Sequence, residues 1–211
     1  MKQLYSDLWQ TEVESPFPGL TTHAYLLRRD DGNVLFYNSS QQADLEQMAT
    51  LGGVQYHFLS HKDELGESIN TIRARFGARL GGHVKEQAEF SVICRPDILF
   101  SKREFILDNV EVIPTPGHTP GSCCFLVCSP HGKTYLFSGD TVYLTDDSWK
   151  PGWMSFSQPE ELKQSLSLLA TLEPDVVFSS AFSGQNGFEE VSGHWPTKLR
   201  PALERLASPP G

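Results

Sequence analysis

Three apolar runs in this sequence end in a side chain able to hold a metal ion. They are "FLSH", ending at His61, "VIPTPGH", ending at His118, and "YLFSGD", ending at Asp140. Two histidines and a carboxylate suit one divalent ion with open positions, zinc or non-haem Fe(II). Asp63 follows in "HKDELGES" and offers another oxygen, as a fourth ligand, as a partner orienting His61, or as a proton acceptor. Standing before a helical run, it also reads as an N-cap. Glu64 and Glu67 read as acids that favour the positive end of the same helix.

Such residues need a rigid frame, and the sequence supplies strand patterns that end beside them. "HAYLLRR" and "NVLFYN" are short apolar strands joined by "DDG", a hairpin turn signal. "VQYHFLS" runs up to His61, and "RLGGH" ends at His83. "REFILD", "VEVIPT", "CCFLVC" and "KTYLFSGD" make a second group, and "DVVFSS" a late strand. Helical spacing marks "QQADLEQMATLG", "ESINTIRARFGA", "PEELKQSLSLLATL" and "PTKLRPALERLA". Glycine closes the first two, and Pro159 fits the first turn of the third. Strands punctuated by single helices predict an α/β protein with sheets covered by helices.

Composition narrows the function classes. One domain over 1–211 is the expectation for this length. Seventeen basic against 26 acidic residues, a formal net charge of -9, argue against a nucleic-acid partner. The start lacks the apolar core of a signal peptide and no run is long enough to span a bilayer, so a cytoplasmic protein without membrane contact is expected. Cys94, Cys123, Cys124 and Cys128 contain no C-x-x-C pair and read as reduced, mostly buried thiols. His57 reads as structural, His131 lies in a hairpin turn, and His83 is expected in an exposed loop at the edge that carries the candidate ligands. Trp149 and Trp153 follow Asp140 on a long loop. They can overhang the site as a lid, although packing against the domain is the simpler expectation.

"VIPTPGHTPGS" followed by "YLFSGDTVY" resembles the metallo-β-lactamase fold superfamily, with "HAYLLRRDDGNVLFYN" similar to its opening hairpin and "LEPDVVFSS" to its late strand. The resemblance implies an αββα four-layer sandwich, two mixed β-sheets flanked by helices with the metal site along one edge. It implies that His118, in the Gly-His turn, and Asp140, in the Gly-Asp, are metal ligands. The family's Thr-His-x-His-x-Asp-His motif is incomplete here. With His61 as its first histidine, Asp63 falls at the second, and Glu67 and Ser68 stand near the missing Asp-His pair. The other register makes His61 the second histidine and Leu59 a lost ligand; the unbroken strand up to His61 favours the first. The late Pro-Gly-His-Gly is replaced by "SAFSG", around Ala181 or Phe182, and Asn38 stands where the hairpin aspartate is expected.

These losses leave too few ligands for two metals. The resulting expectation is a metal-dependent hydrolase acting on a small molecule. One zinc or iron ion would be held by His61, His118, Asp140 and Asp63, with Asp63 also available for catalysis. Persulfide dioxygenases of the same superfamily use matching positions for mononuclear iron, which makes an iron dioxygenase one alternative. A non-catalytic relative that binds a ligand or partner in the old cleft is the other. The acidic charge disfavours a nuclease, and the missing signal peptide and zinc ligands disfavour antibiotic hydrolysis.

Overall fold

A computed structural model describes residues 1–207. A seven-stranded sheet has the order β1 (Lys2–Tyr5), β2 (Leu8–Gln10), β5 (Tyr25–Leu27), β6 (Val34–Phe36), β7 (Tyr56–Phe58), β8 (Arg79–His83) and β9 (Ile98–Phe100). Its first four strands pair antiparallel and the rest parallel. A six-stranded sheet has the order β10 (Glu104–Leu107), β11 (Val110–Pro114), β12 (Cys123–Cys128), β13 (Thr134–Gly139), β16 (Val176–Ser179) and β18 (Phe188–Glu190), with only β13 and β16 parallel. A small third sheet, absent from the sequence expectation, joins β15 (Trp149–Pro151), β14 (Val142–Leu144), β17 (Ala181–Phe182), β4 (Leu20–Thr22) and β3 (Glu14–Phe17).

Among the described residues the α-helices number five, α1 (Gln42–Thr50), α2 (Ser68–Phe76), α3 (Gln87–Ile93), α4 (Pro159–Leu169) and α5 (Trp195–Ala207). Helix α2 stops at Gly77, whose φ of 69° is the left-handed conformation glycine adopts without a Cβ penalty. Between the two large sheets lies an aromatic core in which Phe36 stacks on Phe137 at 4.1 Å and Phe137 on Phe178 at 5.0 Å. Helices α4 and α5 cover the outer face of the six-stranded sheet through Leu162, Leu166, Leu199 and Leu206. Ile69 of α2 and Phe90 of α3 pack with Leu59 and Leu80 outside the other sheet. This is the αββα arrangement, with a further sheet added to the expected two.

The core explains the cysteines: Cys123 faces the inter-sheet layer, Cys124 faces the helices, and Cys128 is exposed. All four are free thiols. Among the described residues, no helix is long and apolar enough to cross a membrane.

The two large sheets are joined at the edge where the candidate ligands emerge. Cys123 N donates to Ser60 O at 2.9 Å. The Tyr37 hydroxyl accepts from Gly139 N at 2.8 Å and donates to Phe178 O at 3.0 Å. Strand ends from distant parts of the chain are thereby held in one place.

Candidate metal centre

His61 lies just past β7 and is 2% exposed. Its Nδ1 stands 2.9 Å from Ser60 Oγ, and its Nε2 points at Asp140, 3.5 Å from Oδ2. His118 sits in the turn between β11 and β12, its Nδ1 2.6 Å from Gly152 O. A carbonyl only accepts, so Nδ1 of His118 carries a hydrogen, and in the neutral ring the lone pair is on Nε2. That Nε2 lies 3.6 Å from Asp63 Oδ2 and 3.9 Å from Asp140 Oδ2. The two imidazole rings meet edge to face at 4.8 Å. Asp140 follows β13, and its other oxygen accepts from Ala181 N at 3.0 Å.

Two glycines make this approach possible. A Cβ on Gly139 would stand 2.3 Å from Ser60 Oγ, and that residue's φ of 55° is left-handed. A Cβ on Gly152, whose carbonyl holds His118, would stand 1.6 Å from Asp140 O. Neither site admits a side chain without backbone movement.

Both Nε2 atoms are buried without a hydrogen-bond partner, an arrangement that is costly unless something is meant to fill it. One ring nitrogen of His61, one of His118 and a carboxylate oxygen of Asp63 all lie within 4.8 Å of one another. Atoms about 2.1 Å from a common tetrahedral ion stand roughly 3.4 Å apart, close to the 3.5 Å between His61 and Asp140 and the 3.6 Å between His118 and Asp63. The donor set fits one divalent cation. Electrostatics point the same way. Burial pushes the Asp140 carboxyl up, but the neighbouring histidines and the Ala181 N–H outweigh it and bring it down to about 2. The contact with His118 pulls Asp63 below its ordinary value. Burial pushes His61 down, whereas Glu64 and Asp140 together raise it well above the usual histidine range. Glu64, Asp140 and Asp63 thus make a negative setting around the two buried Nε2 atoms, one that attracts positive charge.

Several sequence expectations need correction. Asp63 lies in a 3₁₀ turn, Lys62–Glu64, and caps no helix; the N-cap position of α2 is Glu67, which makes no side-chain cap. Glu64 does not serve the helix end. Its carboxylate accepts from Ser60 N at 2.8 Å and from Ser60 Oγ at 2.5 Å. His83 is buried rather than exposed, and its Nδ1 accepts from Lys85 N. Trp149 packs in the core against Trp195 and Trp153 is half-buried against the same cluster, which is the simpler expectation for both and not a lid. The exposed aromatic beside the centre is Phe156, on the same loop, whose ring lies 5.9 Å from that of His118. Leu59 is fully buried among Ile69, Leu80 and Phe90, while Asp63 Oδ2 lies 3.6 Å from His118 Nε2. Sequence reasoning missed Glu86 altogether. It is 1% exposed, and its oxygens accept from Lys62 N at 2.8 Å and Gly121 N at 3.0 Å, tying together the loops of His61 and His118.

Ser68, Asn38 and Phe182, at positions where the resemblance implies further ligands, have other partners. Ser68 Oγ donates to Asn38 Oδ1, Asn38 in turn donates to Glu64 O, and Phe182 stacks on His23 at 5.0 Å.

Residues 57–181 match the family model of the metallo-beta-lactamase superfamily. The chain belongs to this superfamily. Its fold is shared by a metallo-β-lactamase from Pontibacter korlensis, 17% identical, covering 98% of both chains with a TM-score of 0.77. A metallo-β-lactamase family protein from Thermus thermophilus is 18% identical and covers 98% of this chain and 81% of its own, with a TM-score of 0.72. At those identities the likeness is one of fold. A hydroxyacylglutathione hydrolase of Acidiphilium cryptum (strain JF-5) is 27% identical over 161 residues, 74% of this chain and 61% of that protein. The chain therefore spans less than two thirds of that relative's length. Metallo-β-lactamase superfamily proteins typically bind divalent metals, and His61, Asp63, His118 and Asp140 all fall within the matched segment.

Proposed function

We propose that this protein is a hydrolase with one divalent metal, acting on a small molecule. The cation would be held by Nε2 of His61, Nε2 of His118 and carboxylate oxygens of Asp140 and Asp63. The observation that carries the reading is the pair of buried, unpartnered Nε2 atoms converging with those oxygens. A cation bound there supplies a Lewis acid that lowers the pKa of water towards neutrality and so provides a nucleophile.

The chain's own groups do the rest. The carbonyl of Gly152 holds the His118 ring, and the Ala181 N–H holds Asp140. Asp63 is 45% exposed and kept ionised by His118, so it has an oxygen free to accept a proton at the solvent-facing side of the centre. Phe156 and Met154 are exposed on the loop after β15 and offer an apolar contact to a substrate lying against His118. The likeness to a protein named as a hydroxyacylglutathione hydrolase supports hydrolysis as the reaction class.

The test is metal content by elemental analysis of the purified protein and of His118→Ala, both grown with zinc and iron. About one equivalent per chain, lost in the variant, is expected. Zinc supports the hydrolase, whereas iron favours the oxygenase reading that the same donor set accommodates. No bound metal in a folded wild-type protein would overturn both and favour the non-catalytic relative.

A further inference from the structure

The carboxylate of Glu64 lies beside Nδ1 of His61, the ring nitrogen other than the one that faces Asp140. Its Oε2 accepts from Ser60 N at 2.8 Å, and its Oε1 accepts from Ser60 Oγ at 2.5 Å. Ser60 Oγ in turn lies 2.9 Å from His61 Nδ1. Glu64 Oε1 itself is 3.4 Å from the same nitrogen. All three side chains are buried or nearly so, with Glu64 6% exposed.

The direction of this chain follows from counting protons. An ionised carboxylate has none to give, so Ser60 uses its single hydroxyl proton on Glu64. Ser60 Oγ then has only lone pairs to offer His61, and Nδ1 must be the nitrogen that holds the hydrogen. The lone pair of the neutral ring is left on Nε2, the atom facing Asp140 and His118. His118 reaches the same state through a backbone carbonyl, whereas His61 depends on a carboxylate acting through a hydroxyl.

We infer that Glu64 is a positioning residue which, through Ser60, fixes the Nδ1–H tautomer of His61 and keeps Nε2 available to a cation. The inference rests on the single-metal reading for its purpose but not for its test. Replacing Glu64 by Gln keeps the shape and reverses the relay. The N–H of Ser60 demands the amide oxygen, which turns the amide NH₂ towards Ser60 Oγ. That hydroxyl is then free to donate to Nδ1, which moves the ring hydrogen to Nε2. Ser60→Ala removes the relay without reversing it, so its effect should be intermediate.

The experiment is two-bond proton–nitrogen NMR of the histidine rings in metal-free protein, above the pH at which His61 becomes neutral, for wild type, Glu64→Gln and Ser60→Ala. Zinc affinity of the same three proteins is measured by competition with a chromophoric chelator. The expected result is an Nδ1–H ring at His61 in the wild type and an Nε2–H ring in Glu64→Gln. Zinc affinity should fall on the order of 10–100-fold in Glu64→Gln and less in Ser60→Ala. The His118 ring signals should be unchanged in all three, which separates a local effect from general loosening. An unchanged His61 tautomer in folded Glu64→Gln would overturn the inference, as would equal zinc affinity in a zinc-binding wild type. A wild type that binds no zinc would instead count against the hydrolase reading, and the tautomer would still decide the role of Glu64.

Discussion

Phe156 is a large apolar side chain that stays exposed beside His118 of the candidate centre. Its ring is 54% exposed although it lies only 5.9 Å from His118. An aromatic left in water at such a place gains only when something covers it, and one such contact is worth about 0.5–1.5 kcal/mol. Phe156→Ala should therefore raise KM by about twofold to tenfold for a substrate with an apolar group, with kcat within about twofold, since no reacting group is touched. Steady-state kinetics with a matched pair of apolar and polar substrates would check this. An equal loss for both substrates would exclude Phe156 as a contact of the apolar group. Trp149 and Trp153, the two aromatics of this loop that the sequence singles out by size, pack against the domain, which is the simpler of the two expectations for them. Trp149 pairs its ring nitrogen with Glu189 and its face with Trp195, which is what places it in the core.

Loops that carry ligands need an anchor between them, and at the scale of elements Glu86 provides it. The residue lies in the turn leading into α3, and its two oxygens take one backbone N–H from the His61 loop and one from the His118 turn. Hydrogen bonds to a charged group contribute roughly 1.5–3 kcal/mol each, and a buried donor left unpaired costs a comparable amount. Glu86→Ala should thus destabilise the protein by about 3 kcal/mol and weaken metal binding together with it. Urea unfolding of metal-free protein reads the first effect and chelator competition the second; an unchanged urea midpoint would show that the clamp is dispensable. No local pattern announces such a residue. His61, His118 and Asp140 are legible because each ends an apolar run, and the last two sit in Pro- and Gly-rich turns. Glu86 acts on residues 24 and 35 positions away, and nothing within its own helical turn marks it. The third sheet is illegible for a related reason. Its strands are two to four residues long, Pro16 stands in one of them, and only pairing with distant segments makes them strands. The long helices and buried parallel strands are readable because their burial repeats along the chain itself.

For the molecule as a whole, acid stability should be governed in part by a histidine that takes no part in the centre. His57 is 1% exposed in the middle of β7, and its Nε2 donates to Tyr37 O at 2.8 Å. Burial pushes its pKa down to about 4; the Tyr37 carbonyl works against this shift and Arg73 of α2 adds to it. The folded protein therefore keeps this ring neutral at a pH where the unfolded chain, with an ordinary value near 6.5, has already bound a proton. Between those two values the unfolded state holds more protons, so stability falls as pH drops from about 6.5 to about 4 and this contribution is flat outside that window. With about 1.36 kcal/mol per pH unit, the full loss is about 3 kcal/mol. His57→Gln keeps a donor for the Tyr37 carbonyl and removes the titration. In metal-free protein, the difference in unfolding free energy between wild type and variant should change by about that amount across the window and stay constant above it. Parallel curves for the two proteins would mean that His57 ionises in the folded state as easily as in water, and that the carbonyl contact, not burial, decides its charge.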